Sequence, residues 1–217
     1  MKAIVIGATG LTGSLLTQKL LADPDYSEVI TLVRQPTALQ HPKLTQVKVD
    51  FTDKKALEKE LRGEVLFCCI GTTIGKAGSQ ERFLEVDYDI PVTCATIAAA
   101  NQVGKMVLIS SIGANARSGN FYLKTKGRVE EVLCQLPFQV LHIFQPGLLI
   151  GQRQEKRFAE KLFIAISPVF NLLLWGAMAK YRGIDIAELT QAMVQVAKKE
   201  VAGVKRYTWS EIKEASQ

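Results

Sequence analysis

Ala3-Ile4-Val5-Ile6-Gly7-Ala8-Thr9-Gly10-Leu11-Thr12-Gly13 is the stretch whose reading decides the fold. Its first four residues are an apolar, mostly β-branched run bounded by glycine, which reads as a strand buried on both faces of a parallel sheet. Beyond it, Leu15, Leu16, Leu20 and Leu21 recur at helical spacing and predict a helix from Thr12 to Leu21. The glycines therefore fall where a strand turns into a helix. There they permit a positive φ and let backbone amides approach a pyrophosphate, which also meets the positive end of the helix dipole. The prediction is a dinucleotide site, with Gly7, Thr9, Gly10, Leu11, Thr12 and Gly13 around the phosphates.

Outward from this turn the chain keeps alternating. Val29 to Val33 reads as a second buried strand that ends at Arg34, 21 positions past Gly13. In such folds an acidic residue at this place holds the ribose 2′-hydroxyl, whereas arginine accommodates a 2′-phosphate, so NADP(H) is favoured over NAD(H). Val47 to Asp50 reads as a third strand, with Asp50 and Phe51 placed to flank an adenine. A helix over Lys54 to Leu61 leads to a fourth strand, Val65 to Ile70. The strand stops at Gly71-Thr72-Thr73, small residues past which a ribose runs close to backbone, so Ile70, Gly71 and Thr72 are expected to border the cofactor. One helix is expected from Ser79 to about Gln102, bent or interrupted at Pro91. Met106 to Ile109 is a fifth strand, ending in Ser110-Ser111. Strands and helices alternating at this pitch predict an α/β fold, a Rossmann-like doubly wound parallel sheet.

Composition sets the bounds. The 217 residues are 47% hydrophobic and 22% charged, which fits a single domain. Residues 1–151 read as its cofactor-binding core and 152–217 as a small C-terminal, substrate-side portion. The formal charge of +6 is spread over isolated pairs such as Lys54-Lys55 and Lys198-Lys199, so nucleic acid is not an expected partner. Cys68, Cys69, Cys94 and Cys134 form no metal-binding spacing and no disulfide framework, and no metal site is expected. With no secretory signal at the N-terminus, the expected location is cytoplasmic.

The chemistry enters with Tyr122-Leu123-Lys124-Thr125-Lys126, which opens a helix. Tyr122 and Lys126 are four apart and share a face, while Lys124 points elsewhere. A free phenol titrates near about 10, and an ammonium held beside it favours the phenolate, bringing proton exchange toward neutral pH. The motif follows the strand-end serines by 11 positions, behind the glycine turn.

Glycine turn, strand-end serine and Y-x-x-x-K together resemble the short-chain dehydrogenase/reductase pattern over roughly residues 1–151. Ile109-Ser110-Ser111, Gly113-Ala114, Asn120-Phe121, Tyr122 to Gly127, and Pro146-Gly147-Leu148-Leu149 followed by Arg153-Gln154-Glu155 resemble its atypical Tat-interacting-protein branch. The resemblance implies that Ser111 orients a substrate oxygen, that Tyr122 is the acid/base, and that Lys126 partners it on the nicotinamide ribose. It also implies that Pro146, Gly147, Leu148 and Leu149 border the cofactor. Gln145 departs from the branch, which has arginine before Pro-Gly, and either substrate or packing is affected.

The remainder closes the fold. Val140 to Phe144 is a sixth strand in which His142 reads as a packed residue. The segment from Leu162 to Ala179 is strongly apolar, but Pro168, Asn171 and Gly176 break it, so no membrane span is expected and peripheral contact stays open. Short helices there are expected to wall an apolar pocket with Phe163, Phe170, Trp175 and Met178. Asp185 and Glu188 read as a capping box for a helix to Lys199, Gly203 as its end, Arg206 to Thr208 as a late strand and Ser210 as the cap of a final helix. The expected activity is reversible carbonyl–alcohol oxidoreduction on a small molecule, by a monomer or homodimer. A non-catalytic NADP(H)-sensing regulator or assembly factor and a nucleotide-sugar epimerase or dehydratase remain alternatives.

Overall fold

The computed structural model describes residues 1–151 and 181–217. Strand β1 (Lys2–Ile6) runs into helix α1 (Leu11–Ala22). Strands β2 (Glu28–Val33) and β3 (Leu44–Lys48), helix α2 (Lys54–Glu60) and strand β4 (Val65–Cys68) follow. Short helices α3 (Ile74–Ala77) and α4 (Gln80–Leu84) then lead to α5 (Ile90–Ala100), β5 (Lys105–Ile109), α6 (Phe121–Cys134) and β6 (Val140–Phe144). Strands β7 (Leu149–Ile150) and β8 (Ile184–Asp185), helix α7 (Ile186–Ala197), strand β9 (Gly203–Tyr207) and helix α8 (Trp209–Ala215) complete the described chain.

Seven strands form one parallel sheet in the order β3-β2-β1-β4-β5-β6-β9, and β7 pairs with β8 as a small parallel ribbon. The order reverses at β1, so the C-terminal ends of β1 and β4 flank a crevice, the place where open α/β sheets bind ligands. Alternation along each strand divides the core. Ala3, Val5, Val29 and Phe67 pack toward α1, α7 and α8, whereas Ile4, Ile6, Leu66 and Met106 pack toward α2, α5 and α6. Both faces are covered, which is why these strands read as continuous apolar runs.

Several boundaries differ from the sequence reading. The third strand lies earlier, because the parallel register pairs Val33 with Lys48 and leaves Asp50 in the following loop. The fourth strand ends at Cys68, since Cys69 and Ile70 turn beneath Gly7. The single helix expected from Ser79 becomes α4, one wide π-turn over Glu85–Asp89, and α5. Pro91 has no N–H and its ring would crowd the carbonyl four residues back. The chain answers by widening, with the Ile90 N–H reaching the Glu85 carbonyl. Asp185 does cap α7, accepting from the Ala187 N–H, but Glu188 pairs with Lys213 instead of closing a box. Gly203, at φ +104°, opens β9. The final helix is capped by Thr208 in a capping box with Glu211, and Ser210 lies within it.

The apolar segment expected to wall a pocket, with Phe163, Phe170, Trp175 and Met178, lies outside the described residues. Among the described residues no helix is long and apolar enough to cross a membrane.

His142 is 2% exposed, with its Nδ1 2.9 Å from the Tyr207 hydroxyl. Burial, aided by the charges of Lys205, Lys105 and Lys199, pushes its pKa down to about 4. An unfolded chain protonates this imidazole near pH ~6.5, before the native state does. Its contribution is therefore complete above that pH and is lost as pH falls from there toward 4. Full loss is worth on the order of 3 kcal/mol. We expect urea unfolding to show this decline in the parent, and His142→Phe to show a smaller difference between neutral and acidic pH. An equal difference in both proteins would assign the acid sensitivity elsewhere.

Candidate functional site

The glycine turn is built by close approach. Gly7 has φ +80°, and a Cβ there would lie 2.6 Å from the Cys69 carbonyl. A Cβ on Gly13 would lie 2.2 Å from the Gly7 carbonyl oxygen, and the Gly10 N–H donates to that same oxygen at 3.0 Å. Each contact is backbone on backbone, so side chains have no room. Helix α1 starts at Leu11 with Gly10 as its N-cap and no side-chain cap, while Ser14 is the first amide to return to Gly10. The amides of Leu11, Thr12 and Gly13 therefore keep the donor capacity that a helix start offers to an anion. Thr9 lies in the turn itself, and Thr12 is buried against the sheet.

A cleft of about 590 Å³ lies past the ends of β2 and β3, lined by Arg34, Asp50 and Phe51 and, from across it, by Arg82, Ile90 and Thr93. Arg34 is exposed and has no ion-pair partner among the described residues, whereas Arg82 is paired with Glu85. Asp50 Oδ1 accepts from the Thr52 N–H at 2.9 Å and hydroxyl at 2.8 Å, and these bonds hold its carboxyl below the usual range.

From the glycine turn the row continues along the strand ends. Gly7 abuts Ile70, and Gly71 faces both Lys126 Nζ and Asp87 Oδ1, at 3.7 and 3.6 Å from where its Cβ would be. Lys126 sits on α6, whose start is fixed by Asn120 Oδ1 accepting the Leu123 N–H at 3.1 Å. Gly127 lets that helix lie on the backbone of Asn115 and Ala116, which a Cβ would meet at 2.2 Å. The Lys126 ammonium is 6.0 Å from the centre of the Tyr122 ring, and Phe83 packs on that ring at 5.9 Å.

The two strand-end serines part company. Ser110 is buried and donates to Glu130 Oε1 at 2.5 Å. Ser111 is partly exposed, and among the described residues its hydroxyl has a single, 3.4 Å contact with the Ile112 carbonyl. The Ile112 N–H donates to the Pro146 carbonyl at 2.9 Å, bringing Pro146 and Gly147 beside Ser111. Leu148 accepts from Ile184, and Leu149 begins β7, so this border runs on into the ribbon. The structure thus gathers the sequence-predicted residues along one edge of the sheet, with Arg34, Asp50 and Phe51 at one end and Ser111, Tyr122 and Lys126 at the other.

Asp87 is the residue that sequence reasoning missed. It sits in the π-turn, and its side chain is 0% exposed, 2.7 Å from Lys126 Nζ. Its Oδ2 accepts from the Thr72 N–H at 2.8 Å. Burial would lower the Lys126 pKa, but the Asp87 carboxylate, with a further electrostatic contribution from Tyr122, carries it above the ordinary value. The available signal was Pro91, four positions downstream, which marks where a helix must widen and turn a side chain inward.

Gln145 now has a physical account. Its Nε2 donates to both oxygens of the buried Glu130, at 2.8 and 3.0 Å. The cation reaches Glu130 from β9 instead, as Arg206 Nε at 3.2 Å. The departure at this position is therefore seen in the packing that ties β6, α6 and β9 together.

Comparison with known proteins identifies the family. The family model described as NAD(P)H-binding matches residues 7–157. Rat "Protein HTATIP2" is 35% identical over 162 residues, 73% of this chain and 66% of that protein. "Protein FMP52-1, mitochondrial" of Scheffersomyces stipitis is 35% identical over 165 residues, 72% of this chain and 71% of that protein. A solved dTDP-glucose 4,6-dehydratase, DesIV from Streptomyces venezuelae with NAD and TYD bound, superposes with a TM-score of 0.73 at 21% identity, over 95% of this chain and 74% of that one. That likeness speaks to the fold alone. The FMP52 relatives, from Candida albicans and Debaryomyces hansenii as well, carry mitochondrial names, and they overturn the expectation of a cytoplasmic location. Glycine turn, parallel sheet, matched model and relatives agree: the chain belongs to the NAD(P)H-binding family, as an atypical protein of the short-chain dehydrogenase/reductase type.

Proposed function

We propose that this protein is an NADP(H)-dependent oxidoreductase acting on a small carbonyl or alcohol, with Ser111, Tyr122 and Lys126 as its chemical residues. One observation carries the reading. Lys126 Nζ lies against Gly71 and one helical turn from Tyr122, at the far end of the crevice that begins with the uncapped amides of α1.

The residues fit a dinucleotide along that whole line. Gly7 and Gly13 leave a backbone cradle that a Cβ would fill, and Leu11, Thr12 and Gly13 present amides to a pyrophosphate. Asp50 and Phe51 border the place for an adenine, and Arg34, with no ion-pair partner among the described residues, offers its guanidinium to a 2′-phosphate. Lys126 would hold the nicotinamide ribose. A nicotinamide bound there supplies or accepts the hydride.

Tyr122 Oη then gives a proton to, or takes it from, the substrate oxygen. Ser111 Oγ, held among the described residues by a weak contact to Ile112, can turn to donate a hydrogen bond to that oxygen. In this reading Pro146, Gly147, Leu148 and Leu149 border the nicotinamide, and residues 152–217 form the substrate side.

The test is hydride transfer itself. With deuterium on the reactive carbon of NADPH, a reduced aldehyde or ketone should carry deuterium on its new C–H bond. If the cofactor binds yet no carbonyl in a broad panel acquires the label, the protein is a sensor of its cofactor and not a reductase.

Cofactor choice is tested separately. Arg34→Ala should weaken NADPH binding by about tenfold or more, the scale of one charge-assisted contact, and leave NADH nearly unchanged. Calorimetric titration of both cofactors reads the difference. Equal losses would remove Arg34 from cofactor selection.

A further inference from the structure

The sequence pattern set Lys126 beside Tyr122 as an ammonium that promotes the phenolate. The structure adds a third group to that pair. Asp87 is completely buried, its Oδ1 is 2.7 Å from Lys126 Nζ, and its Oδ2 accepts from the Thr72 amide. Oδ1 has no aligned hydrogen bond of its own, so what joins it to Lys126 is charge at close range. The ammonium 6.0 Å from the Tyr122 ring therefore carries a carboxylate of opposite sign 2.7 Å from its nitrogen. Opposite charges this close largely cancel at the distance of a neighbouring side chain.

We propose that Asp87 is a positioning residue that sets this site to give a proton, so that it is built for carbonyl reduction over alcohol oxidation. The inference rests on the oxidoreductase reading above and adds a direction to it. By offsetting Lys126, Asp87 withholds the push toward phenolate and leaves Tyr122 its proton. By holding Lys126 and the Thr72 amide together, it also fixes the ammonium against the Gly71 turn.

Tyr122 Oη gives its proton to the substrate oxygen as the carbonyl carbon accepts a hydride from the reduced dinucleotide. The C=O π pair moves onto oxygen to form the O–H bond, and the dinucleotide is left oxidised. The phenolate that remains lies beside Lys126 and recovers its proton from water. In the opposite direction Tyr122 must first lose its proton, the change that Asp87 opposes.

Few other groups bear on the pair. Among the described residues, the titratable side chain facing Lys126 from β4 is Cys68, whose thiol burial pushes up to about 11, so it is neutral at physiological pH. The contacts from α4 are aromatic, through Phe83. Among the described residues, Asp87 on the π-turn and Lys126 on α6 are thus the close charged pair beside Tyr122.

The test needs no substrate. In protein carrying carbon-13 at the tyrosine ring carbon bonded to oxygen, the Tyr122 resonance is assigned by its loss in Tyr122→Phe and followed against pH. Asp87→Asn keeps an oxygen for the Thr72 amide but removes the charge. We expect it to move the Tyr122 midpoint to lower pH by about one unit or more, and Asp87→Glu to keep the midpoint close to the parent's. An unchanged midpoint in folded Asp87→Asn would overturn the proposal. Should that variant not fold, the carboxyl resonance of Asp87 in the parent decides, with an ionised group at neutral pH required and a protonated one contradicting it. Failure of the underlying reading looks different, because the parent would then pass no deuterium from NADPH to any carbonyl, whatever the Tyr122 midpoint in Asp87→Asn.

Discussion

Tyr122→Phe should fold as the parent does, bind NADPH within about tenfold of the parent's affinity, and lose about 10²–10⁴-fold in turnover of any carbonyl the parent reduces. The substitution removes one oxygen and nothing else. The ring keeps its packing on Phe83, and the Asn120 cap that starts α6 does not involve the hydroxyl. What disappears is the proton donor in the transition state, so the loss belongs in kcat. A variant that retains the parent rate would show that another group carries the proton. A variant that loses NADPH binding as fully as turnover would make the hydroxyl a cofactor contact only.

Gly13→Ala has the second large effect, and here binding is what should go. A methyl group at this position lies 2.2 Å from the Gly7 carbonyl oxygen and 2.8 Å from its carbon. Neither atom is the end of a flexible side chain. Relief requires β1 and α1 to separate, which displaces the amides of Leu11 and Thr12. We expect NADPH affinity to fall at least ~100-fold and stability to drop by about 1–3 kcal/mol. Gly75→Ala is the matched control, because a Cβ there meets nothing within 4 Å. Calorimetry on the two variants separates close approach from a general intolerance of alanine.

Which parts of this account were legible in the sequence follows from the range of the interactions. The glycine turn was readable because strand, turn and helix are consecutive, and their pattern is local. Tyr122 and Lys126 were readable because four positions on a helix fix a shared face. The third strand was misplaced because β3 is an edge strand with every residue at least partly exposed, so its apolar signal is weak. Gln46 instead folds its side chain back onto Thr37 and Leu39.

Asp87 was not legible because two things hide it. Its partner lies 39 positions further along the chain, and an acidic residue in a helix ordinarily means a solvated face. Only the π-turn forced by Pro91 shows that this one faces inward. Gln145 was visible as a departure, but its meaning depends on Glu130 and Arg206, which tertiary packing alone brings together. The Ser110-Ser111 pair reads as two equivalent hydroxyls in sequence, and the strand's alternation assigns one to the buried Glu130 and the other to the crevice edge.

The central claim is that one dinucleotide lies along this sheet edge, from Arg34 to Lys126. A crystal structure of the protein grown with NADPH tests it most directly. The account predicts pyrophosphate on the amides of Leu11, Thr12 and Gly13, the 2′-phosphate at Arg34, and the nicotinamide ribose within hydrogen-bond reach of Tyr122 and Lys126. A dinucleotide bound with its nicotinamide away from Tyr122, or bound elsewhere on the molecule, would contradict it.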